Sequence, residues 1–345
     1  MHLNIFYVNM FCVMMNILSM KIATADHAPI TSTFIVEKNR THFVKPSFAT
    51  WLEGLKTEAQ QEWKIRSDVL KRALEDVELL PCVLERDTKQ PEKTTTFQTY
   101  LAKTVTDTHI ASGRKRMMIH RKLLHTISTL YGVQESFIVA LWGIETHFGL
   151  MTGNFLVVNA LATLAYNSRR STYFRQELLT ALTILDRGHI TPERMRGSWA
   201  GAMGQNQFMP SSFLRFAQDH DGDGSRDIWS TEADIFASTA HYLATSGWKG
   251  GQNWGQAVRL PEGFNCTLAM QTARRSLNEW TALGVIKADG HSLPNGSFLA
   301  RLALPDGKTE SAVLLFDNYD VILKWNHSNF FALAVGYLAD KLQGR

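Results

Sequence analysis

The sequence predicts a mainly α-helical protein of the α+β class, and three observations carry that expectation. Apolar residues recur at helical spacing from Phe48 to about Ser246, and the period changes to two between Phe298 and Trp325. The 345 residues are 45% hydrophobic and 20% charged, with 19 Phe and 9 Trp, enough to bury a sizeable core. That composition excludes a collagen, a disordered tail and a disulfide-stapled miniprotein. The net charge of +4, from 36 Lys and Arg against 32 Asp and Glu, allows an anionic partner without arguing for nucleic acid. Length alone gives a prior of about two domains.

The first element is a leader. Phe6 to Leu18 is mostly apolar and uncharged, and Ala23-Thr24-Ala25 gives the small-x-small pattern of a cleavage site, so residues 1–25 read as a signal peptide cut before Asp26. Only the α-amino group and His2 precede the apolar stretch as positive groups, which keeps a frayed core helix open as the alternative. Cys12 lacks the small apolar box of a lipoprotein, since Asn9 stands three residues before it. No later uncharged apolar run reaches about 18 residues, so no stable membrane span is expected and the periplasm is the expected destination. Cys82 and Cys266 then remain, either to pair or to stay as two separate buried thiols.

From Phe48 to about Tyr131, Trp51, Leu55, Trp63, Leu70 and Leu74 mark a polar-rich helical lead-in broken near Pro81 and Pro91. Within it, Gly113 to Lys122 is a basic run, read as a solvated helix face or a grip on an anionic polymer. Gln134 to Phe148 is apolar nearly all round and ends at Gly149, which predicts a buried central helix. Helices follow over about 159–166 and 173–185, another begins at Pro210, and Thr231 with Asp234 resembles a capping box opening a helix to about Ser246. Phe298 to Leu304, Ala312 to Phe316 and Tyr319 to Trp325 read as strands of a small antiparallel sheet, with a turn at Pro305-Asp306-Gly307, and a last helix starts after Ser328. There is no internal repeat or low-complexity linker. The expected division is 1–25 leader, 26–130 N-terminal helical region, 131–260 catalytic core, and 261–345 helical segment, sheet and final helix.

Glu145 lies near the end of the predicted buried helix, flanked by Trp142, Ile144 and Phe148. A carboxylate there loses solvation when charged, so its pKa should rise and it should hold a proton long enough to act as a general acid. The bland alternative is a Glu whose face meets water. The second cluster runs from Gly197 to Pro210: its small residues let backbone approach a ligand, Ser198, Gln205, Asn206 and Gln207 supply neutral polar groups, and Trp199 and Phe208 supply flat faces suited to a sugar. A glycine-rich turn between core helices is the alternative.

Together these segments resemble the B-type lytic murein transglycosylases. Gly143 to Gly149 matches their acid motif, Gly197 to Ser212 matches their glycine-rich loop at every fixed position, and the similarity extends to Asn326-His327-Ser328. The resemblance implies a lysozyme-like fold and cleavage of peptidoglycan glycan strands at the β-1,4 bond between N-acetylmuramic acid and N-acetylglucosamine, leaving a 1,6-anhydromuramoyl end. Glu145 is then the catalytic residue, acid first and base second. Ser198 and Gln207 would hydrogen-bond the sugars, and Phe208, Tyr242 and Trp325 would line the groove, where relatives often carry tyrosine in place of Trp325. Arg169 and Arg170 align with an arginine pair placed near peptide-stem carboxylates, or are a solvated helix-end pair. A hydrolytic lysozyme-like muramidase and a non-catalytic peptidoglycan-binding protein are the alternatives. A monomer is expected, and no nucleic-acid partner.

Residues 219–230 follow an EF-hand loop, with Asp219, Asp221, Asp223, Ser225 and Asp227 as candidate calcium ligands, but Ser230 stands where the pattern asks for a bidentate acid. Weak calcium binding and a metal-free acidic turn both remain open, with Glu232 as a late substitute. No cofactor is expected to be required, and the twelve His show no zinc-site spacing.

Overall fold

The computed structural model describes residues 45–88, 95–270, 273–296 and 298–344, so the expected leader and the break near Pro91 lie outside the described residues. Six helices form the lead-in: α1 (Phe48–Gln61), α2 (Ser67–Leu74), α3 (Pro81–Thr88), α4 (Phe97–Thr104), α5 (Asp107–Ile119) and α6 (Arg121–Tyr131). Their starts follow from short polar side chains: Ser47, Thr96 and Thr106 each accept a backbone N–H three residues on. Pro81 occupies the first position of α3, where a missing N–H costs nothing. The central helix α7 (Glu135–Thr146) is buried at every residue from Ser136 to Thr146, as its apolar composition predicts.

After α7 come β1 (Phe155–Leu156), α8 (Val157–Asn167), α9 (Ser171–Asp186), β2 (Arg196–Gly197), α10 (Pro210–Phe216) and α11 (Glu232–Thr245). The two short strands pair antiparallel, Phe155 opposite Gly197. The chain then builds β3 (Gly255–Arg259), β4 (Arg275–Ser276), α12 (Leu277–Ala282), β5 (Ile286–Lys287), β6 (Leu299–Ala303), β7 (Val313–Leu315), α13 (Asp317–Trp325) and α14 (Asn329–Leu342). The sheet order is β4-β6-β7-β3-β5 with antiparallel neighbours, Leu302 facing Leu314 and Ala257 facing Val313.

Three sequence expectations need correction. Tyr319 to Trp325 is helical: Asp317 and Asp320 favour a helix N-terminus, and Tyr319 and Ile322, three apart, are buried together. The apparent period of two suggested a strand, whereas the sheet takes its other strands from β3, β4 and β5. Thr231 does not cap α11 through its side chain; Asp234 instead accepts the backbone N–H groups of His220 and Asp227, both at 2.7 Å. Cys82 and Cys266 are free and exposed, neither paired nor buried.

The hydrophobic residues form two helical cores and a smaller one under the sheet. One core joins α1–α3 to α8–α10, the second surrounds α7 with residues of α11, α13 and α14, and the third includes Val258, Trp280, Leu302 and Leu314. Residues before 130 are therefore shared between the two helical cores. Tyr242 and Trp325 pack against both of them.

Candidate active site

The end of α7 sets the geometry. His147, Phe148 and Gly149 all have positive φ, at 51°, 59° and 83°, so the chain reverses within three residues. At Gly149 a Cβ would stand 2.2 Å from Gln205 Oε1, so glycine is required there for space as well as conformation. This reversal leaves Glu145, in the last turn, on the wall of a cavity of about 150 Å³ that Gln207, Phe208, Tyr242 and Trp325 also line. The cavity thus forms where the two helical cores meet.

Glu145 is 7% exposed. Its Oε1 accepts the indole N–H of Trp325 at 2.7 Å. Burial pushes its pKa up to about 8, against the smaller lowering effect of the Trp325 bond. It has no cationic partner among the described residues. Near neutral pH the group therefore holds a proton that it can donate.

The walls combine rings in tilted and edge-on contact with committed polar groups. Phe208 and Tyr242 lie 5.2 and 4.7 Å from Trp325 between ring centroids. The Tyr242 hydroxyl donates to the Lys324 carbonyl at 2.6 Å, and burial raises its phenol to about 12, so the side chain offers a ligand its ring rather than a proton. Gln207 has φ 53°, and its amide N–H group donates to the carbonyls of Thr152 and Gly204 at 3.0 and 2.9 Å. Its carbonyl oxygen remains as the acceptor it can present.

Other expected residues sit elsewhere. Ser198 is buried within its own loop, where its hydroxyl accepts from the N–H groups of Ala200 and Ala202 at 3.3 and 3.1 Å, and it does not line the cavity. Arg169 and Arg170 occupy the α8–α9 turn away from the cavity lining; Arg169 is exposed, and the Arg170 guanidinium lies 5.0 Å from the Phe174 ring centroid. Gln205 and Asn206, grouped with the ligand-facing donors on sequence, serve as internal ties. Gln205 accepts the Trp142 indole N–H at 2.7 Å and donates to the Trp229 carbonyl at 2.9 Å, locking the loop to α7. Asn206 donates to Ile235 O at 2.8 Å and Thr239 Oγ1 at 2.7 Å on α11.

Sequence reading missed Glu177, Met209, Ser212 and Lys324 as site residues, and it gave Asp234 only a helix-capping role. Met209, Ser212 and Lys324 complete the cavity lining with Asn326 and His327. Glu177 is buried and its carboxylate accepts the backbone N–H of Ser211 at 2.9 Å and its hydroxyl at 2.7 Å, which anchors the start of α10 outside the cavity. Tyr173, one turn earlier on α9, is also hydrogen-bonded to Glu177. Glu145 is thus the one carboxylate among the described lining residues.

In the acidic loop, carboxylate oxygens of Asp219, Asp221 and Asp223 lie within 4.8 Å of one another, a donor chemistry that suits a hard cation. Every member of the candidate set is also hydrogen-bonded within the protein: Asp219 accepts the N–H groups of Gly222, Asp223 and Gly224, Asp221 that of Asp223, and Asp223 that of Ser225. Ser225 Oγ donates to His189 O at 2.9 Å, and Asp227 accepts the N–H groups of Trp229 and Ser230 at 2.8 and 3.0 Å. The Ser230 hydroxyl donates to Asp227 as well. Asp234 ties the two ends of the loop through the bonds to His220 and Asp227.

Residues 47–340 match a family model described as a transglycosylase SLT domain. Membrane-bound lytic murein transglycosylase B of Escherichia coli (strain K12) is 33% identical over 245 residues, 69% of this chain and 65% of that protein, so the match spans slightly under two thirds of its length. The structure of SltB3 from Pseudomonas aeruginosa in complex with NAG-anhNAM-pentapeptide superposes with a TM-score of 0.84 at 42% identity, over 86% of this chain and 80% of that one. The Escherichia coli lytic transglycosylase Slt35 in complex with calcium gives a TM-score of 0.71 at 27% identity, over 90% of this chain and 98% of that one.

Proposed function

The chain belongs to the family of lytic transglycosylases with an SLT domain, and from that premise we propose that it cleaves the β-1,4 bond between N-acetylmuramic acid and N-acetylglucosamine in peptidoglycan, leaving a 1,6-anhydromuramoyl end. The observation that carries the reading is Glu145: one buried, proton-holding carboxyl group in a cavity walled by aromatic rings.

Glu145 donates its proton to the glycosidic oxygen as the bond to the anomeric carbon breaks, so the leaving sugar departs as a neutral alcohol. The carboxylate so formed then takes the proton of the muramoyl 6-hydroxyl while that oxygen bonds to the anomeric carbon. No water is consumed, and Glu145 ends protonated. A single carboxyl suffices because the substrate acetamido group can stabilise the anomeric carbon, as in substrate-assisted glycosidases. Phe208, Tyr242 and Trp325 supply apolar faces for the pyranose rings, and the Gln207 carbonyl oxygen accepts from a sugar N–H or O–H. The SltB3 complexes with NAG-anhNAM-pentapeptide and NAG-NAM-pentapeptide support this choice of substrate.

Product mass tests the reading. Digestion of isolated peptidoglycan should release muropeptides about 18 mass units lighter than those from a hydrolytic muramidase, because the water is missing. Hydrated products would establish the hydrolytic alternative, and binding without release would establish a wall-binding protein. The same reading places the chain in the periplasm as a monomer acting on glycan strands. No single helix among the described residues is long and apolar enough to cross a membrane. Asp219, Asp221 and Asp223 would hold a calcium ion with low affinity, where it would stiffen the loop that Asp234 ties to α11.

A further inference from the structure

Charge is unevenly distributed along the chain. Between Asp107 and Glu135 lie Arg114, Lys115, Arg116, Arg121 and Lys122 and no acid, a local charge of +5 in a protein whose total is +4. The run spans the end of α5 and the start of α6, and its members have two different fates. Arg114 donates to the Lys341 carbonyl on α14 at 3.2 and 2.6 Å. Arg116 lies over the rings of Trp142 and Phe148, at 5.6 and 4.8 Å. Lys115, Arg121 and Lys122 are exposed and form no ion pair among the described residues.

Met118 and Ile119 stand between these three cations, at the joint of the two helices, and are 72% and 61% exposed. A solvated helix face alternates charges and does not hold adjacent large apolar side chains out at its end. The nearest acids do not compensate the cluster. Asp107 opens α5 about 12 Å along the axis from Lys115. Glu135 is faced by His125 at 3.6 Å, and Asp340 on α14 accepts the Trp254 indole N–H at 3.0 Å. Lys341, exposed beside Arg114, adds a further cation.

We propose that the α5–α6 corner docks the protein on an anionic phospholipid surface, with Met118 and Ile119 entering the interface and Lys115, Arg121 and Lys122 meeting the headgroup phosphates. Long cationic side chains keep their heads at that depth while neighbouring apolar groups reach the acyl boundary. An acidic polysaccharide would satisfy the cations but leave Met118 and Ile119 in water, which is why the bilayer is the better occupant. None of the five residues lines the Glu145 cavity, so docking leaves the catalytic groups open to glycan. The proposal is independent of the reaction assigned above.

The test is cosedimentation of the full chain with vesicles of phosphatidylcholine alone and of phosphatidylcholine mixed equally with phosphatidylglycerol, at low and raised salt. An apolar leader would add binding that the variants below do not change. Each cation near an anionic surface is worth about fivefold in partitioning, so Lys115→Glu/Arg121→Glu/Lys122→Glu should lower the anionic-vesicle partition at least about 100-fold. Met118→Ser/Ile119→Ser should lower it several-fold and keep the salt dependence. If the triple variant is poorly folded, Arg121→Glu alone is read in the same way, and unchanged cleavage of soluble glycan fragments verifies that each variant is intact. Equal wild-type binding to both vesicle types, or full retention by the charge-reversal variants, overturns the proposal. Loss of binding to isolated peptidoglycan with vesicle binding unaffected also overturns it and assigns the corner to an acidic polymer.

Discussion

The indole N–H of Trp325 donates to Oε1 of Glu145 at 2.7 Å, joining residues 180 apart in the chain. Because Oε1 accepts this bond, the proton of the neutral acid belongs on Oε2, and Trp325 thereby orients the carboxyl as well as lining the cavity. The same bond favours the ionised form and opposes the larger effect of burial.

Glu145→Gln should fold and lose about 10²–10⁴-fold of its lytic rate, the range typical of a removed general acid-base group. Activity above a tenth of wild type would take Glu145 out of the reaction.

The raised Glu145 pKa also has a stability consequence. Between its unfolded value of 4.5 and its folded value of about 8, the folded state keeps a proton that the unfolded state releases. Stability should therefore fall as pH rises through that window, and the melting-temperature advantage of Glu145→Gln over wild type should grow from pH 4.5 to 8 and then level off. A difference that stays constant with pH would contradict the elevated pKa. The acid-dependent first step should likewise slow above about pH 8.

Trp325→Phe keeps a ring in the cavity but removes the donor. The carboxyl pKa should rise further, moving the alkaline limb of the rate profile upward, while kcat falls more than KM rises because Oε1 is no longer held. A profile unchanged in pH with a simple rise in KM would reduce Trp325 to a groove wall.

Gln207→Ala and Ser198→Ala should separate. The first should reduce turnover by more than its loss of stability explains, since the side chain lines the cavity while its amide also ties the Thr152 and Gly204 carbonyls. The second should cost about 1 kcal/mol of stability as well, because two loop N–H groups lose their acceptor. Turnover that follows stability alone in both variants would favour a structural turn throughout.

Calcium should raise the thermal midpoint only at high concentration, because the twelfth loop position is Ser230. Asp219→Ala should abolish the response and Ser230→Glu should bring it to lower calcium, each judged against a calcium-free control because Ser230 also bonds to Asp227. A tight micromolar response in wild type would show that other oxygens complete the site.

How far the sequence could be read follows from the range of each interaction. The central helix and its acid were legible because eleven consecutive positions, Ser136 to Thr146, report burial locally. Gln207 and Phe208 were legible from one continuous motif. Asp306 was read only as part of a turn, yet its carboxylate accepts the N–H groups of Phe97 and Gln98 at 2.6 and 3.2 Å and so opens α4 from 209 residues away. Ser198 and Gln205 look alike as polar loop residues, and only the folded loop turns one onto its own backbone and the other onto Trp142. The α13 helix was misread because an apparent period of two is a local signal, while the burial of Tyr319 and Ile322 in the core that holds α7 and α14 is not.

Tyr242 and Trp325 belong at once to two separately packed cores, and a sugar resting on them would act as a strut across the seam. Part of the free energy of ligand binding then becomes cohesion between the halves of the protein. An occupied groove should slow hydrogen exchange in α8 and α14 together, although neither helix lines the cavity.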